Sequence, residues 1–183
     1  MSGIIKFGIA GRMRTGKTTV AKYLETKYDF HVAAFADPIK QFARSVGWDD
    51  KKDERGRTLL QDIGTVVRKY DKKFWIVKMI SGLPTTKSIA VDDMRMLLEH
   101  EELTAAGFKT ILVQRDPSKI VDAPSATVNH VTEREVDQIK PWRTVINNGT
   151  FEELYAQVDQ LIREYENPIS RELEHENISR MVN

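Results

Sequence analysis

The stretch GRMRTGKTTVAKYL, residues 11–24, sets two glycines, two arginines and a lysine directly ahead of an amphipathic segment. Gly11, Arg12, Met13, Arg14, Thr15, Gly16, Lys17 and Thr18 match the spacing G-x-x-x-x-G-K-[ST] of the phosphate-gripping P-loop, or Walker A motif. The spacing has a mechanical reason. The loop must curl so that several backbone N–H groups point inward at one phosphate. Glycine permits the positive φ and the close approach this needs. The helix that follows adds its positive N-terminal end. Lys17 then reaches the outer phosphates of a polyphosphate, and the Thr18 hydroxyl holds Mg²⁺. A chance glycine-rich turn would not need a strand before it and a helix after it, and this loop has both signals.

IIKFGIA (4–10) is short and apolar, as a buried strand should be. After the loop, Val20, Ala21, Leu24 and Tyr28 recur at helical spacing. FHVAAFA (30–36) reads as a second strand. Asp37-Pro38 opens a helix, with proline at its first position, that ends at Gly47. Residues 48–56 form a charged loop. A long helical region follows over 57–70 and 72–81. In it Leu59, Leu60, Ile63, Val66, Val67 and Tyr70 form an apolar stripe, and Arg57, Gln61, Thr65 and Arg68 a separate polar face. KSIAVDD (87–93) is a buried strand ending in two carboxylates. RMLLEHEELTAAG is a helix closed by Gly107. FKTILVQRD (108–116) is the next strand, and 117–131 is polar and irregular. TEREVDQI opens with a capping box, Thr132 with Glu135, stapled by Val131 and Val136. WRTVINN is a last strand, and TFEELYAQVDQLIREY a helix with a second capping box at Thr150 and Glu153. Strands alternating with helices predict an α/β protein with the three-layer P-loop NTPase fold: a central parallel sheet with helices on both faces. The reading is one P-loop kinase domain over 1–166 and a polar tail over 167–183.

Bulk composition narrows the function class. The chain has 183 residues, 30% charged, with no cysteine, so disulfides, thiol nucleophiles and cysteine-zinc sites are excluded. No apolar run approaches a membrane span, and the N-terminus lacks a signal-peptide pattern, so a cytoplasmic protein with no membrane partner is expected. The net charge of +1 is unevenly spread. Residues 1–80 carry 17 Lys+Arg against 9 Asp+Glu, and the remainder carries 11 against 18. A basic half focuses small anions. No basic run interleaved with aromatics points to nucleic acid.

A P-loop does not name a reaction. No guanine-reading N-K-x-D is found, which argues against a GTPase. Asp92 or Asp93, at the carboxyl end of its strand, faces the ligand crevice of a parallel sheet. One of the two can instead cap a helix. Phosphoryl transfer between two anions needs positive charge on the acceptor and in transit. Arg95 follows the carboxylates and Arg115 ends a strand at the same edge. Asp37 and Lys40 follow the second strand, where Asp37 is either an acceptor contact or a cap. Arg57, Arg134 and Arg143 read as surface residues, and His130 as a loop residue with no chemistry.

Several stretches in order, GRMRTGKTT, FADPIK, LLQDIGTVVRKYDKKFW, VDDMR, ILVQRD, NHVTE and VINNGTFEEL, together span most of residues 4–162. In these the chain resembles the bacteriophage-type deoxynucleoside monophosphate kinases. The INNGTFEEL ending is also similar to dephospho-coenzyme A kinases. The resemblance implies phosphoryl transfer from ATP, with Mg²⁺, to a (deoxy)nucleoside monophosphate. It implies a donor site on Gly11, Arg12, Met13, Arg14, Thr15, Gly16, Lys17, Thr18 and Thr19, with Arg115, Asn148 and Gly149, the Asn147–Gly149 turn lying near the adenine. Acceptor contacts come from Asp37, Lys40, Gln61, Arg68, Asp93 and Arg95. The expected chemistry falls to Lys17, Arg14, Asp93 and Arg95, and the expected metal contacts to Thr18 and Asp93. The expected partner is a small-molecule nucleotide, met by a monomer or homodimer, in the host cytoplasm for a phage-encoded chain. Residues 116–132 lack the arginine cluster of a nucleotide-kinase lid. The rival functions are a kinase for another phosphorylated small acceptor, such as dephospho-coenzyme A, and a regulator that binds nucleotide without transferring phosphate.

Overall fold

The computed structural model describes residues 3–120 and 135–167. Five strands form one parallel sheet in the order β2-β3-β1-β4-β5. They are β1 (Lys6–Ala10), β2 (His31–Ala33), β3 (Ile89–Met94), β4 (Lys109–Gln114) and β5 (Arg143–Ile146). The helices are α1 (Lys17–Tyr28), α2 (Ala36–Ser45), α3 (Glu54–Tyr70), α4 (Phe74–Ser81), α5 (Leu97–Ala105) and α6 (Phe151–Glu166). β1 lies at the centre, with Phe7 opposite Ala90 of β3 on one side and Lys109 of β4 on the other. The expected three-layer arrangement is the one observed.

Side chains alternate across the sheet and so build two cores. Phe7, Ile9, Ala90, Ile111 and Val113 pack with α1 and α6 through Val20, Leu24, Leu154 and Val158. Ala10, Val91 and Leu112 pack on the other face with Ile76, Met79 and Leu103 of α4 and α5. Phe7 is fully buried, stacked on Phe30 at 5.8 Å and Trp142 at 5.9 Å and edge-on to Tyr165. A polar clamp ties α1 to α6. Asp159 accepts hydrogen bonds from Tyr23 and Tyr28, 2.8 and 2.7 Å, and from Lys27 at 2.8 Å.

The β1–β3 pairing slips just before the loop, with Gly8 opposite Val91 but Ala10 opposite Met94. The chain leaves β1 toward β2 on one side and leaves β3 toward β4 on the other. The diverging connections open a crevice at the carboxyl ends of these two strands, where ligands of such sheets bind.

Four expectations need correction. The second strand is shorter than 30–36. Its helix begins at Ala36, so Pro38 sits in the first turn rather than at its first position, and the missing N–H costs nothing there. The 48–56 loop ends early, because Asp53 caps α3 by accepting from Gly56 N at 2.8 Å. The apolar stripe of α3 is only partly its buried face. Leu59, Leu60, Ile63 and Val67 are half-buried and Gly56 and Gly64 buried, whereas Val66 and Tyr70 are exposed, 64% and 93%. A Cβ on Gly64 would meet Ile39 at 3.3 Å, and the Gly64 carbonyl accepts from Trp75 Nε1 at 3.3 Å. Close approach of backbone to α2 and α4 therefore turns the glycine face inward. The Thr150–Glu153 capping box and the positive φ of Gly107 agree with the sequence reading. The Thr132 box, its Val131 staple, His130, Arg134 and the tail from 168 lie outside the described residues. Among the described residues no helix is long and apolar enough to cross a membrane.

Phe7→Ala should lower the unfolding free energy by about 3–5 kcal/mol, the usual cost of emptying a closed aromatic site. Urea denaturation followed by circular dichroism measures it.

Candidate active site

The loop after β1 has three residues of positive φ, Gly11 at its start and two in its turn. Gly16 has φ +106° and Arg14 φ +63°. A Cβ at Gly16 would collide with the Asn147 amide, which donates to the Thr15 carbonyl at 2.8 Å. That bond fastens the loop to the end of β5. Gly16 is also the N-cap of α1 and has no side-chain oxygen to offer. Lys17 is buried and donates to the Gly11 and Arg12 carbonyls, at 2.7 and 2.8 Å, so its ammonium lies folded over the loop.

A cavity of about 740 Å³ opens over this loop. From the loop and α1 come Met13, Arg14, Gly16, Lys17, Thr18 and Thr19. From the end of β3 come Asp92, Asp93 and Arg95. Arg115, after β4, and Asn147 with Gly149–Glu152, after β5, complete the lining. Three arginines expected from sequence, Arg14, Arg95 and Arg115, are thus brought to one cavity.

The two carboxylates at the end of β3 divide their work. Asp92 faces the Thr18 hydroxyl, which donates to it at 3.3 Å. Asp93 points to the other face, accepts from the amides of Phe35 and Ala36 at 2.8 and 3.2 Å, and so holds the start of α2. The carboxylate beside Thr18, expected to be Asp93, is therefore Asp92. Successive strand residues face opposite ways, and only Asp92 faces α1. Burial pushes the Asp93 carboxyl up to about 6, against the pull of its two amide bonds. A Thr hydroxyl and one carboxylate beside a phosphate loop suit Mg²⁺, which keeps waters and shares substrate phosphates rather than demanding a full protein cage.

Other expected contacts fall elsewhere. Arg12 forms an ion pair with Asp137. Arg12, Thr15 and Asn148 line a separate cavity of about 630 Å³, which shares Arg115 with the first, and Gly11 lines neither. Asn148 accepts from the Asp116 amide at 2.7 Å, so the turn's cavity contacts are Asn147 and Gly149 instead. Asp37 accepts from Ala34 N and pairs with Lys40, both at 2.8 Å, outside the first cavity. Gln61 is exposed. Arg68 departs from its expected polar face: it is half-buried, and its charge acts on Glu99.

Glu99, within the α5 segment, is not among the site residues expected from sequence. It is 9% exposed and accepts from the amides of Arg95 and Met96. Burial pushes its carboxyl up to about 7. The two amides and Arg68 pull the other way, and Asp93 adds to the rise. Its position three residues into α5 is the one signal that marks it in the sequence.

The parallel sheet, the loop and the strand-end carboxylate define a protein of the P-loop fold. Dephospho-CoA kinase from Campylobacter jejuni shares the fold, with TM-score 0.54 over 89% of this chain and 98% of that one at 12% identity. The family model for deoxynucleotide monophosphate kinase matches residues 45–158, and the chain belongs to that family. The phosphate loop precedes the matched span, so loop and family model are separate observations. A protein of Acanthamoeba polyphaga mimivirus, named provisionally as a deoxynucleotide monophosphate kinase, is 25% identical over 85% of this chain and 94% of its own length. The ORF77 protein of Ictalurid herpesvirus 1 (strain Auburn) is 26% identical over 77% of this chain, and the match spans 63% of that longer relative.

Glu99→Gln should change how stability depends on pH. A carboxyl raised from 4.5 to about 7 holds a proton in the folded state that the unfolded chain has lost. Its contribution is therefore complete at low pH and is lost as pH rises through that window. The stability of Glu99→Gln relative to wild type should move in the variant's favour by about 1–3 kcal/mol between pH 4.5 and 7.5, read from urea unfolding of both proteins.

Proposed function

We propose that this chain transfers the terminal phosphoryl group of ATP, with Mg²⁺, to a deoxynucleoside monophosphate, giving the diphosphate and ADP. One observation carries the reading. Thr18 and Asp92 meet at the mouth of the phosphate loop, in the same cavity as Arg14, Arg95 and Arg115. That pairs a metal-binding donor set with the positive charge that phosphoryl transfer between two anions requires. Membership of the family supports this acceptor class.

When bound, ATP supplies the phosphoryl group and Mg²⁺ neutralises part of its charge. The loop amides of residues 13–19 grip the phosphate tail, and Lys17 exchanges its loop carbonyls for the outer phosphate oxygens. Thr18 and Asp92 hold the metal, directly or through its waters. Arg14 and Arg95 offset charge as the bond from an acceptor phosphate oxygen to the terminal phosphorus forms. The bond to the bridging oxygen breaks, and its electron pair leaves with ADP. Arg115 and the Asn147–Gly149 turn flank the donor base.

On the acceptor side, Arg68 is tied electrostatically to the cavity wall through Glu99. Asp37 and Lys40 neutralise one another, and Asp37 braces the start of α2, whose amides hold Asp93. In this reading Asp93 is a brace between β3 and α2 and orients the acceptor side indirectly. Gln61 remains an acceptor contact only if α3 moves toward the cavity when substrate binds. The reaction needs ATP and a nucleotide in one compartment, as in a cytoplasm.

Lys17→Ala should lower turnover by roughly 10²-fold or more while the far-UV circular dichroism stays that of wild type. Asp92→Asn should raise the Mg²⁺ concentration needed for half-maximal rate. The acceptor is tested by ADP release from ATP with each of the four dNMPs, with ribonucleoside monophosphates and with dephospho-coenzyme A. Release driven only by dephospho-coenzyme A would reassign the substrate. Saturable ATP binding with no acceptor-dependent release would make the protein a regulator.

A further inference from the structure

β3 ends at Met94 and α5 begins at Leu97, so Arg95 and Met96 alone carry the bend between them. Both of their amides donate to one atom. Oε2 of Glu99 accepts from Arg95 N at 2.8 Å and from Met96 N at 2.9 Å. The next amide, Leu97 N, donates to Oε2 of Glu135 at 2.9 Å. Three consecutive amides are thus held by carboxylates, and the first belongs to an arginine that lines the phosphate cavity.

A helix start can be capped by an exposed serine or aspartate at little cost. This one uses a carboxylate that is 9% exposed, with the Asp93 carboxylate acting on it from β3 and the Arg68 guanidinium from α3. Within α5 its neighbour His100 is engaged with Thr110 Oγ1 at 2.8 Å. The arrangement gives the Arg95 backbone a fixed anchor where an exposed cap would let the bend shift.

We propose that Glu99 is a positioning residue for Arg95: by seating the Arg95 and Met96 amides on a single oxygen it fixes the point from which the Arg95 guanidinium reaches the transferred phosphate. This rests on the reading of Arg95 given above. A misplacement of about 1 Å in such a group costs turnover far more than binding.

The test is steady-state kinetics of the full chain with ATP and the best acceptor of the panel, on Arg95→Ala, Glu99→Ala, Glu99→Gln and the Arg95→Ala/Glu99→Ala double variant. Arg95→Ala should lose about 10²-fold in kcat. Glu99→Ala should lose about 10-fold in kcat with KM for ATP within about twofold. Glu99→Gln should recover most of that loss, because its amide oxygen can accept both N–H groups. The double variant should be no slower than Arg95→Ala, since the effect of Glu99 runs through a guanidinium already removed. If Glu99→Ala does not fold, Glu99→Asp, with its carboxylate drawn back by one methylene, takes its place in the cycle. Multiplying losses in the double variant, or unchanged kcat in the Glu99 variants beside a slow Arg95→Ala, would overturn the positioning role and leave the reading of Arg95 intact. Normal turnover in Arg95→Ala would overturn that reading, and this inference with it.

Discussion

The first turn of a helix carries backbone amides that the helix itself cannot pair. In this protein the partners of those amides determine where chemistry is possible. Asp93 meets the start of α2, Asp53 that of α3, Glu99 and Glu135 that of α5, and Thr150 with Glu153 that of α6. Before α4, Asp71 accepts from Lys73 N. α1 starts instead from Gly16 at the end of the phosphate loop. A helix start that follows such a loop suits an anion brought from outside. The loop that leads to it is the only segment of the described chain with both an Arg and a Gly in left-handed backbone within three residues.

The carboxylates that serve the other helices carry a cost. Asp93 is half-buried and Glu99 buried, and both are pushed toward neutrality near physiological pH. Neither is a simple stabiliser, because an ion taken out of water must be repaid by its hydrogen bonds. Asp93 receives two amides and Glu99 two more. Through them β3 is bound to α2 and to the bend before α5. The exposed ion pairs, such as Arg44–Asp50, add little to stability and leave the site unaffected. The rigid wall of the cavity is thus made from the same bonds that close the helix starts.

Much of this was legible in sequence where the signal is local. The loop spacing, the apolar run of β1, the Thr150–Glu153 box and Gly107 each act within a few residues, and each is observed where expected. Non-local choices were not legible. Which of Asp92 and Asp93 faces Thr18 depends on the side of the sheet that α1 covers, and nothing within VDDMR states that side. The stripe of α3 was legible only in part: Leu59, Leu60, Ile63 and Val67 are half-buried, but close backbone approach at Gly64 leaves Val66 and Tyr70 exposed. Arg12 matched the loop pattern, yet its guanidinium was claimed by Asp137, 125 residues later.

By itself the sequence determined that a phosphate loop stands between a buried strand and a helix in an alternating α/β chain, because glycine conformation, helix capping and hydrophobic period are short-range properties. Tertiary structure alone decided which carboxylate faces Thr18, the gathering of Arg14, Arg95 and Arg115 on one cavity, and the burial of Glu99 beneath the Arg95 and Met96 amides. Those depend on strand register and on which faces the crossover helices cover, and such long-range pairings exist only once the sheet is assembled.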